Sequence, residues 1–512
     1  MELIIILGFA LALSVYFYFQ RNIYIKQKVK SSWGKKPSRK MGEQIDVKSL
    51  IASMKILRNY LPHKYYIDKY TYNDLDMIKV FEAIDKSNSS IGEQYLYTRL
   101  RNFGGEDDDL EEFQKLKDQL NDDIKLREHI EYIFFKIGRN NNAISIPEII
   151  EDNMKEKKRN IFVYFGLALV LLLSYISMIV LAVIESELIL YALVPSIVFT
   201  IINYLIYREN VKEVKAKVQS TGHLAYIIKE SSKFARMNLV NSEVIKKLTD
   251  KVGKISFWAN FRYVDTFDLA MATIALLQNI LLLPLISYLK IIDTIQNNKD
   301  SIIKLYMELG KIEAAISALN YEIYTNNTSK PKFIDQEKIQ AESVIHPLLE
   351  KPIDNAIDLD MVNIVTGSNA SGKSTYAKSV AINAILAQSL NLVHATKFEM
   401  KKGGVMTSMA IKDDIISGES YFIAELKSLK RIVDNATNGN FSYYFIDEIL
   451  KGTNTIERIA ASRSIIDYLI EKDAKAFIAS HDIELTTAFG DSVRKIHFRE
   501  QTPFFSFNEP LG

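Results

Sequence analysis

The segment from Gly367 to Ser374 reads G-S-N-A-S-G-K-S and directly follows the strand-like run Met361 to Thr366. The spacing G-x-x-x-x-G-K-[ST] restricts the fold sharply, because its chemistry works only between the end of a strand and the start of a helix. The glycines let the backbone wrap closely enough for N–H groups to face phosphate oxygens. Lys373 then reaches the β- and γ-phosphates, and Ser374 offers its hydroxyl to Mg²⁺. The helix beginning near Lys373 turns its positive end to the same place, and the periodic positions Tyr376, Val380, Ile382, Ile385 and Leu386 fit that helix. Gly367, Ser368, Asn369, Ala370, Ser371, Gly372, Lys373, Ser374 and Thr375 are therefore the candidate set for an ATP or GTP. The competing reading is a glycine-rich turn without a ligand.

Three apolar runs bear on where such a chain resides. Leu3 to Phe19 is uncharged, and the block Arg21 to Lys40 after it holds eight basic residues and no acidic ones. Ile161 to Ile184 and Leu188 to Tyr207 are also uncharged, separated only by Glu185, Ser186 and Glu187. About 20 helical residues cross the hydrocarbon layer, so the last two read as a transmembrane hairpin and the first as a shorter anchor. Lys155, Lys157, Lys158 and Arg159 precede the hairpin, and Arg208, Lys212 and Lys215 follow it. The positive-inside rule places these flanks in the cytoplasm and the Glu185–Glu187 tip outside. A buried helical hairpin is the alternative for the pair. A cleaved leader is the alternative for the first run, although no basic segment precedes it. A fourth run, Leu269 to Leu289, contains Gln278, Asn279 and Pro284 and reads equally as a core helix or a span.

Composition narrows the chemistry. A net charge of +2 provides no global nucleic-acid signal, and the basic block Arg21 to Lys40 beside a span is explained more simply by an anionic lipid surface than by nucleic-acid phosphates, the alternative. With no cysteine, disulfides, thiolate metal sites and cysteine nucleophiles are excluded. Helical periodicity occupies 45 to 158, for example Leu110, Phe113, Leu116 and Leu120, and Gly104-Gly105 interrupts it. It resumes from 209 to 325, ending in the stripe Leu305, Leu309, Ile312, Ile316 and Leu319. From 331 onward short strands alternate with helices, the pattern of an α/β domain.

Two strand ends in that domain carry polar groups. Tyr443 to Ile446 leads into Asp447 and Glu448, where Asp447 would hold Mg²⁺ through water and Glu448 would orient an attacking water. Phe477 to Ala479 leads into Ser480, His481 and Asp482, where His481 can contact a γ-phosphate or its water. An ordinary strand end and a structural histidine are the plain readings of the same residues.

Taken together, these segments resemble the MutS family of DNA mismatch repair ATPases. Ile364 to Tyr376 is similar to the family's T-G-P-N-M-G-G-K-S-T run, with Ser368, Ala370 and Ser371 replacing Pro, Met and Gly. Asp447 to Thr455 is similar to D-E-[IL]-G-R-G-T-S-T, with Leu450 and Lys451 in place of Gly-Arg. Ser480, His481, Asp482, Glu484 and Leu485 resemble T-H-x-x-E-L. Ser420 to Glu425 resembles S-x-F-x-x-E, His346-Pro347 the opening H-P, and Val80 to Leu96 the start of the helical core.

The resemblance implies ATP and Mg²⁺ as cofactors, with Lys373, Glu448 and His481 catalytic and Ser374 and Asp447 at the metal. It also implies a homodimer with composite sites. Ser420 would reach the γ-phosphate across the interface, Asn369 would assist at the nucleotide, and Thr453 to Thr455 would lie on a crossing loop. Binding of mismatched DNA is implied as well, though residues 45 to 74 are too few for the reader and connector domains that precede the core in that family.

The expected fold is α+β and multidomain: transmembrane helices, an all-α MutS-like core and a C-terminal α/β P-loop ATPase domain. Its parts are an anchor at 1–20, a basic juxtamembrane linker at 21–44, core at 45–158, a transmembrane hairpin at 161–207, core again at 209–325 and the ATPase domain at 331–512. The chain is then a membrane-anchored ATPase of the inner (cytoplasmic) membrane, its partners the lipid bilayer, a second copy and DNA. Nucleotide-driven transport, or a conformational scaffold not acting on DNA, is the alternative.

Overall fold

Long stripes of apolar residues need a partner surface, and the computed structural model shows which ones find it. The structure describes the chain except residues 1, 39–44, 140–144, 152–160, 185–186, 262–268, 368–370, 410–420, 440, 451–452, 483 and 499–512, and side chains 2–15, 18, 213, 269–271 and 421. The side chains of most of the first apolar run, the basic residues 155–159 and most of the hairpin tip thus lie outside the described residues. The chain forms two compact units. One holds Met1–Leu61, Asp85–Thr98 and Lys115–Asn320; the other holds Pro62–Ile84, Arg99–Gln114 and Tyr321–Gly512.

The first unit is built on helices α1 (Glu2–Ser32), α2 (Ser90–Arg101), α3 (Ile124–Ile137), α4 (Ile161–Val183), α5 (Ile189–Phe234) and α6 (Leu283–Thr325). The stripe Leu305, Leu309, Ile312, Ile316 and Leu319 on α6 is buried, as its periodicity requires. Opposite it, the start of α2 is held by one carboxylate. Glu313 accepts hydrogen bonds from the backbone N–H groups of Asn88 (2.6 Å), Ser89 (3.0 Å) and Gly92 (3.1 Å), and from the Ser89 hydroxyl. A negative group here satisfies N–H donors that the first helical turn leaves without internal partners. Burial nevertheless pushes the Glu313 carboxyl up to about 7, because desolvation outweighs those bonds.

The approach of the two helices depends on missing side chains. A Cβ on Gly92 would lie 2.5 Å from the Glu313 carboxylate, and one on Gly310 would lie 2.5 Å from the Tyr95 Cβ.

Helices α4 and the first half of α5 have the opposite character. Both are long and apolar enough to cross a membrane, and only 11% and 17% of their apolar windows are buried. They are tied together by the Tyr175 hydroxyl and Thr200 Oγ1 (2.9 Å) and by Asn203, whose amide donates to the Leu167 carbonyl (3.3 Å). Helix α5 continues unbroken past Tyr207 into the basic, soluble-type sequence up to Phe234.

The fourth apolar run divides. Helix Leu269–Ile280 and helix α6 meet at an angle of 74°, with Leu282 at φ 58° between them and Pro284 at the second position of α6. Proline has no N–H to continue the preceding helix and suits the first turn of a new one. Leu282, Leu285, Ile286 and Tyr288 beyond the bend are buried, whereas Ile274, Leu276 and Leu277 before it are exposed.

The second unit centres on five parallel strands: β1 (Asn363–Gly367), β2 (Gly404–Ser408), β3 (Ser442–Asp447), β4 (Lys475–Ala479) and β5 (Arg494–Phe498), in the order β5-β1-β4-β3-β2. A parallel sheet is stable when both faces are covered. Helices α8 (Tyr421–Thr437) and α9 (Thr455–Glu471) cover one face through Leu429, Ile432, Ile466 and Leu469, packed on Ile364, Ile446 and Ile478. Helix α7 (Lys373–Leu390), buried along nearly its whole length, covers the other, with Tyr376 edge-on to Phe477. A smaller mixed sheet joins Lys332–Phe333, Lys397–Met400, Ile339–Val344 and Asn355–Leu359. The break at Gly104-Gly105 follows strand Asn102–Gly104, which pairs with His63–Tyr66.

His394 sits fully buried in this unit. Its ring lies 2.8 Å from the Tyr321 hydroxyl and 2.7 Å from Asn327 Oδ1, and its backbone N–H donates to Asn383 Oδ1 at 2.6 Å. Burial pushes its pKa down to about 4.

Two outcomes follow from these packings. Gly92→Ala should lower stability by about 2–3 kcal/mol in denaturant unfolding, since the added methyl meets a buried carboxylate; an unchanged midpoint would contradict the close approach. Because the folded pKa of His394 lies below its ordinary 6.5, the unfolded chain binds the extra proton between those values. The contribution is complete above pH 6.5 and is lost as pH falls to about 4. It amounts to about 3 kcal/mol. His394→Gln should flatten that part of the stability–pH curve.

Candidate functional site

The parallel register of the sheet brings its polar strand ends to one edge. Ala479 on β4 is level with Asp447 on β3 and with Val365 on β1, and Phe498 on β5 is level with Gly367. Ligands of open parallel sheets bind beyond the carboxyl ends of the strands.

Strand β1 delivers Gly367 to this edge. Ser368, Asn369 and Ala370 lie outside the described residues. Gly372 precedes α7 with φ 87° and ψ 13°, a left-handed conformation that an L side chain resists, and as the N-cap it offers no side-chain hydrogen bond of its own. The Lys373 ammonium is buried and donates to the Gly367 carbonyl at 2.7 Å, so it folds back over the loop. Ser374 is half-buried beside it, and Thr375 is exposed.

Strand β3 ends in Asp447, which is buried. The next residue, Glu448, has φ 60°, and its N–H donates to the Ala479 carbonyl at 2.9 Å. Its Oε1 lies 2.7 Å from His481 Nε2. The end of β4 is fixed in turn, because Ser480 donates its N–H to the Val365 carbonyl at 2.9 Å. Asp447, Glu448 and His481 therefore stand at neighbouring strand ends of one sheet, and Lys373 stands at the start of the helix that follows β1, as their sequence positions predict. Ser420 lies outside the described residues.

The donor set fits a nucleotide with its divalent ion. The start of an 18-residue helix with glycine at its cap presents N–H groups suited to an anion. Among the described residues there is no cluster of three or more histidine, aspartate or glutamate side chains that would hold a metal by itself. Ser374 and Asp447 alone would hold Mg²⁺ only together with phosphate oxygens, the usual manner for that ion.

Sequence reasoning missed two supporting arrangements. Arg458, on α9, forms a two-pronged pair with Asp482, Nε to Oδ2 at 2.9 Å and the terminal nitrogen to Oδ1 at 2.6 Å. Asp482 keeps that guanidinium charged, and the pair links the segment after Glu448 to the segment after His481. Asn454 prepares this by capping α9, accepting the Glu457 N–H at 2.9 Å. The second arrangement joins the short helix Lys69–Asp74 to β2 and α8. Asp74 accepts from the Thr407 hydroxyl (2.6 Å) and the Met409 N–H (3.0 Å), while Arg431 pairs with Asp68 and donates to the Thr71 hydroxyl (3.2 Å). Neither has a local signal, since each joins residues distant in sequence.

Residues 363–503 match the family model described as MutS domain V. Over this segment the chain is similar to the MutS family. Its relatives include DNA mismatch repair protein MutS of Fusobacterium nucleatum, 32% identical over 216 residues, 40% of this chain and 24% of that one. The protein of the same name from Thermotoga maritima is 28% identical over 202 residues, 38% of this chain and 25% of that one. The chain thus spans about a quarter of the length of the curated relatives it matches.

The MutS comparison explains one oddity. Leu450 has φ 56° where the family motif carries glycine, and its side chain is buried against the α8–α9 side of the sheet. Packing of the leucine offsets the left-handed backbone. At this position Leu450→Gly should therefore be more stable than Leu450→Ala by about 1 kcal/mol, the reverse of the usual order. Thermal unfolding of the two variants measures the difference.

Proposed function

We propose that this chain is an Mg²⁺-dependent ATPase of the MutS family. The observation that carries the reading is the convergence of Lys373, Asp447, Glu448 and His481 at the carboxyl edge of one parallel sheet. The loop from Gly367 to Thr375 would bind the phosphates through backbone N–H groups, with Lys373 leaving the Gly367 carbonyl for the β- and γ-phosphates. When bound, Mg²⁺ neutralises phosphate charge, and Ser374 and Asp447 would hold it. Glu448 would accept a hydrogen bond from the attacking water and set it in line with the γ-phosphorus. His481, hydrogen-bonded to Glu448, would keep that carboxylate aimed. Arg458 and Asp482 would support both residues from behind.

The chain would act as a homodimer in which Ser420 completes the other subunit's ATP site. It would be anchored in the inner membrane by the first apolar run and the α4–α5 hairpin, with the nucleotide site in the cytoplasm. The apolar exposure of the hairpin and the basic residues flanking it support this topology. The relatives' mismatch-repair name extends the reading to DNA, with closure around ATP and reopening after hydrolysis driving its handling at the membrane.

Hydrolysis by the detergent-solubilised protein, with and without linear, branched and mismatched DNA, tests these steps. Glu448→Gln should lower turnover by about 10²–10⁴-fold while ATP binding persists, and Lys373→Ala should lose binding. Turnover unaffected by Glu448→Gln would sink the catalytic assignment. DNA-independent turnover together with no DNA retention at moderate salt would sink the nucleic-acid role.

A further inference from the structure

The bend in the fourth apolar run leaves a short helix with an unusual surface. Leu269–Ile280 exposes Ile274, Leu276 and Leu277, and their neighbours Ala272 and Thr273 are exposed too, so its apolar surface is not confined to a core-facing stripe. Twelve residues of α-helix extend only about 18 Å, short of the ~30 Å hydrocarbon layer, and α6 then turns away into the soluble core. This geometry suits neither a span nor a core helix.

Its surroundings belong to the open end of the hairpin. The turn Gly253–Phe261 and helix Leu269–Ile280 both pack on α5. Trp258 lies against the cluster of Tyr164, Tyr207, Val211 and Leu282, where α4 begins and the apolar half of α5 ends. Phe257, Trp258 and Phe261 form a triangle of rings with centroids 5.2, 5.5 and 6.1 Å apart, and Phe257 is exposed. Gln278 donates to the Asn260 carbonyl at 3.1 Å, joining the helix to this turn. On the turn and the adjoining helix Ser242–Val252, Lys246, Lys247, Lys251 and Lys254 are exposed, against the exposed carboxylates Glu243 and Asp250. Aromatic rings and lysines at the end of apolar helices are the composition of a membrane–water interface.

We propose that helix Leu269–Ile280, with the aromatic turn Gly253–Phe261, is a re-entrant foot that lies in the cytoplasmic leaflet beside the hairpin. Its partner is the lipid bilayer itself. The proposal rests on reading the α4–α5 hairpin as membrane-spanning. The foot enters only to the boundary of headgroups and acyl chains and returns to the same side, giving the first unit a further, shallower attachment.

Because the chain has no cysteine, single cysteines report depth cleanly. Full-length Leu277→Cys, Ile176→Cys and Lys247→Cys proteins would carry an environment-sensitive fluorophore in vesicles of phosphatidylcholine and phosphatidylglycerol. Quenching would be compared between shallow and deep nitroxide lipids and aqueous iodide. The label at 277 should be quenched about threefold more by shallow than by deep nitroxides, matching a burial of ~5–10 Å. The label at 176 should prefer the deep nitroxide, and that at 247 should respond to iodide. With 176 quenched from lipid, iodide access at 277 overturns the foot. A blue-shifted 277 label that no lipid quenches overturns it too, indicating a second copy or another protein there, and deep quenching equal to that at 176 makes the segment a span. If 176 itself shows no lipid quenching, the hairpin reading falls and the foot with it.

Discussion

Strand β4 is hydrogen-bonded between β1 and β3, and the organisation of the second unit follows from that placement. Through Ala479 and Ser480 it fixes the end of the phosphate-type loop strand on one side and the Asp447-Glu448 end on the other. The space between loop and acid pair is thus set by one strand's width and closed at its end by His481. Parallel strands place all these polar ends on one edge. The Arg458–Asp482 pair then stiffens the two segments that leave that edge. The left-handed backbone at Glu448 and Leu450 is sustained by this framework, as strained residues near functional groups commonly are.

The two units handle polar burial differently. In the first, Glu313 is buried to hold the start of α2, and three backbone donors and a hydroxyl offset part of the cost of desolvating its carboxylate. In the second, His394 is buried neutral, using both ring nitrogens. Each group is buried only in the folded chain, and that desolvation is why each carries a shifted pKa. The apolar hairpin does the reverse: it leaves large apolar side chains exposed and keeps Asn203 and Thr200 turned to the neighbouring helix.

Much of the site was legible because its residues sit in short, ordered runs. Lys373 follows its glycine directly, and Asp447-Glu448 and His481 each close a strand of apolar residues. The supports were not legible. Asp74 acts on Thr407, 333 positions away, and Asp68 on Arg431, 363 positions away, and although Asp68 caps its own helix, nothing local points to either distant partner. The fourth apolar run shows the same limit: hydropathy could not divide Leu269 to Leu289, but a bend before Pro284 sends its halves to different surroundings.

Local sequence by itself determined the strand-to-helix turn around Gly367 and Gly372, the carboxylate-tipped strand, the two long uncharged helical runs and the buried stripe of α6. Each depends on periodicity or on backbone conformations that a few neighbouring residues impose. Tertiary structure alone decided that residues 62–84 and 99–114 join the second unit, that Gly92 admits Glu313, and that Arg458 meets Asp482. Those outcomes depend on which surfaces meet across long stretches of chain, and contact between distant residues leaves no periodic trace in one sequence.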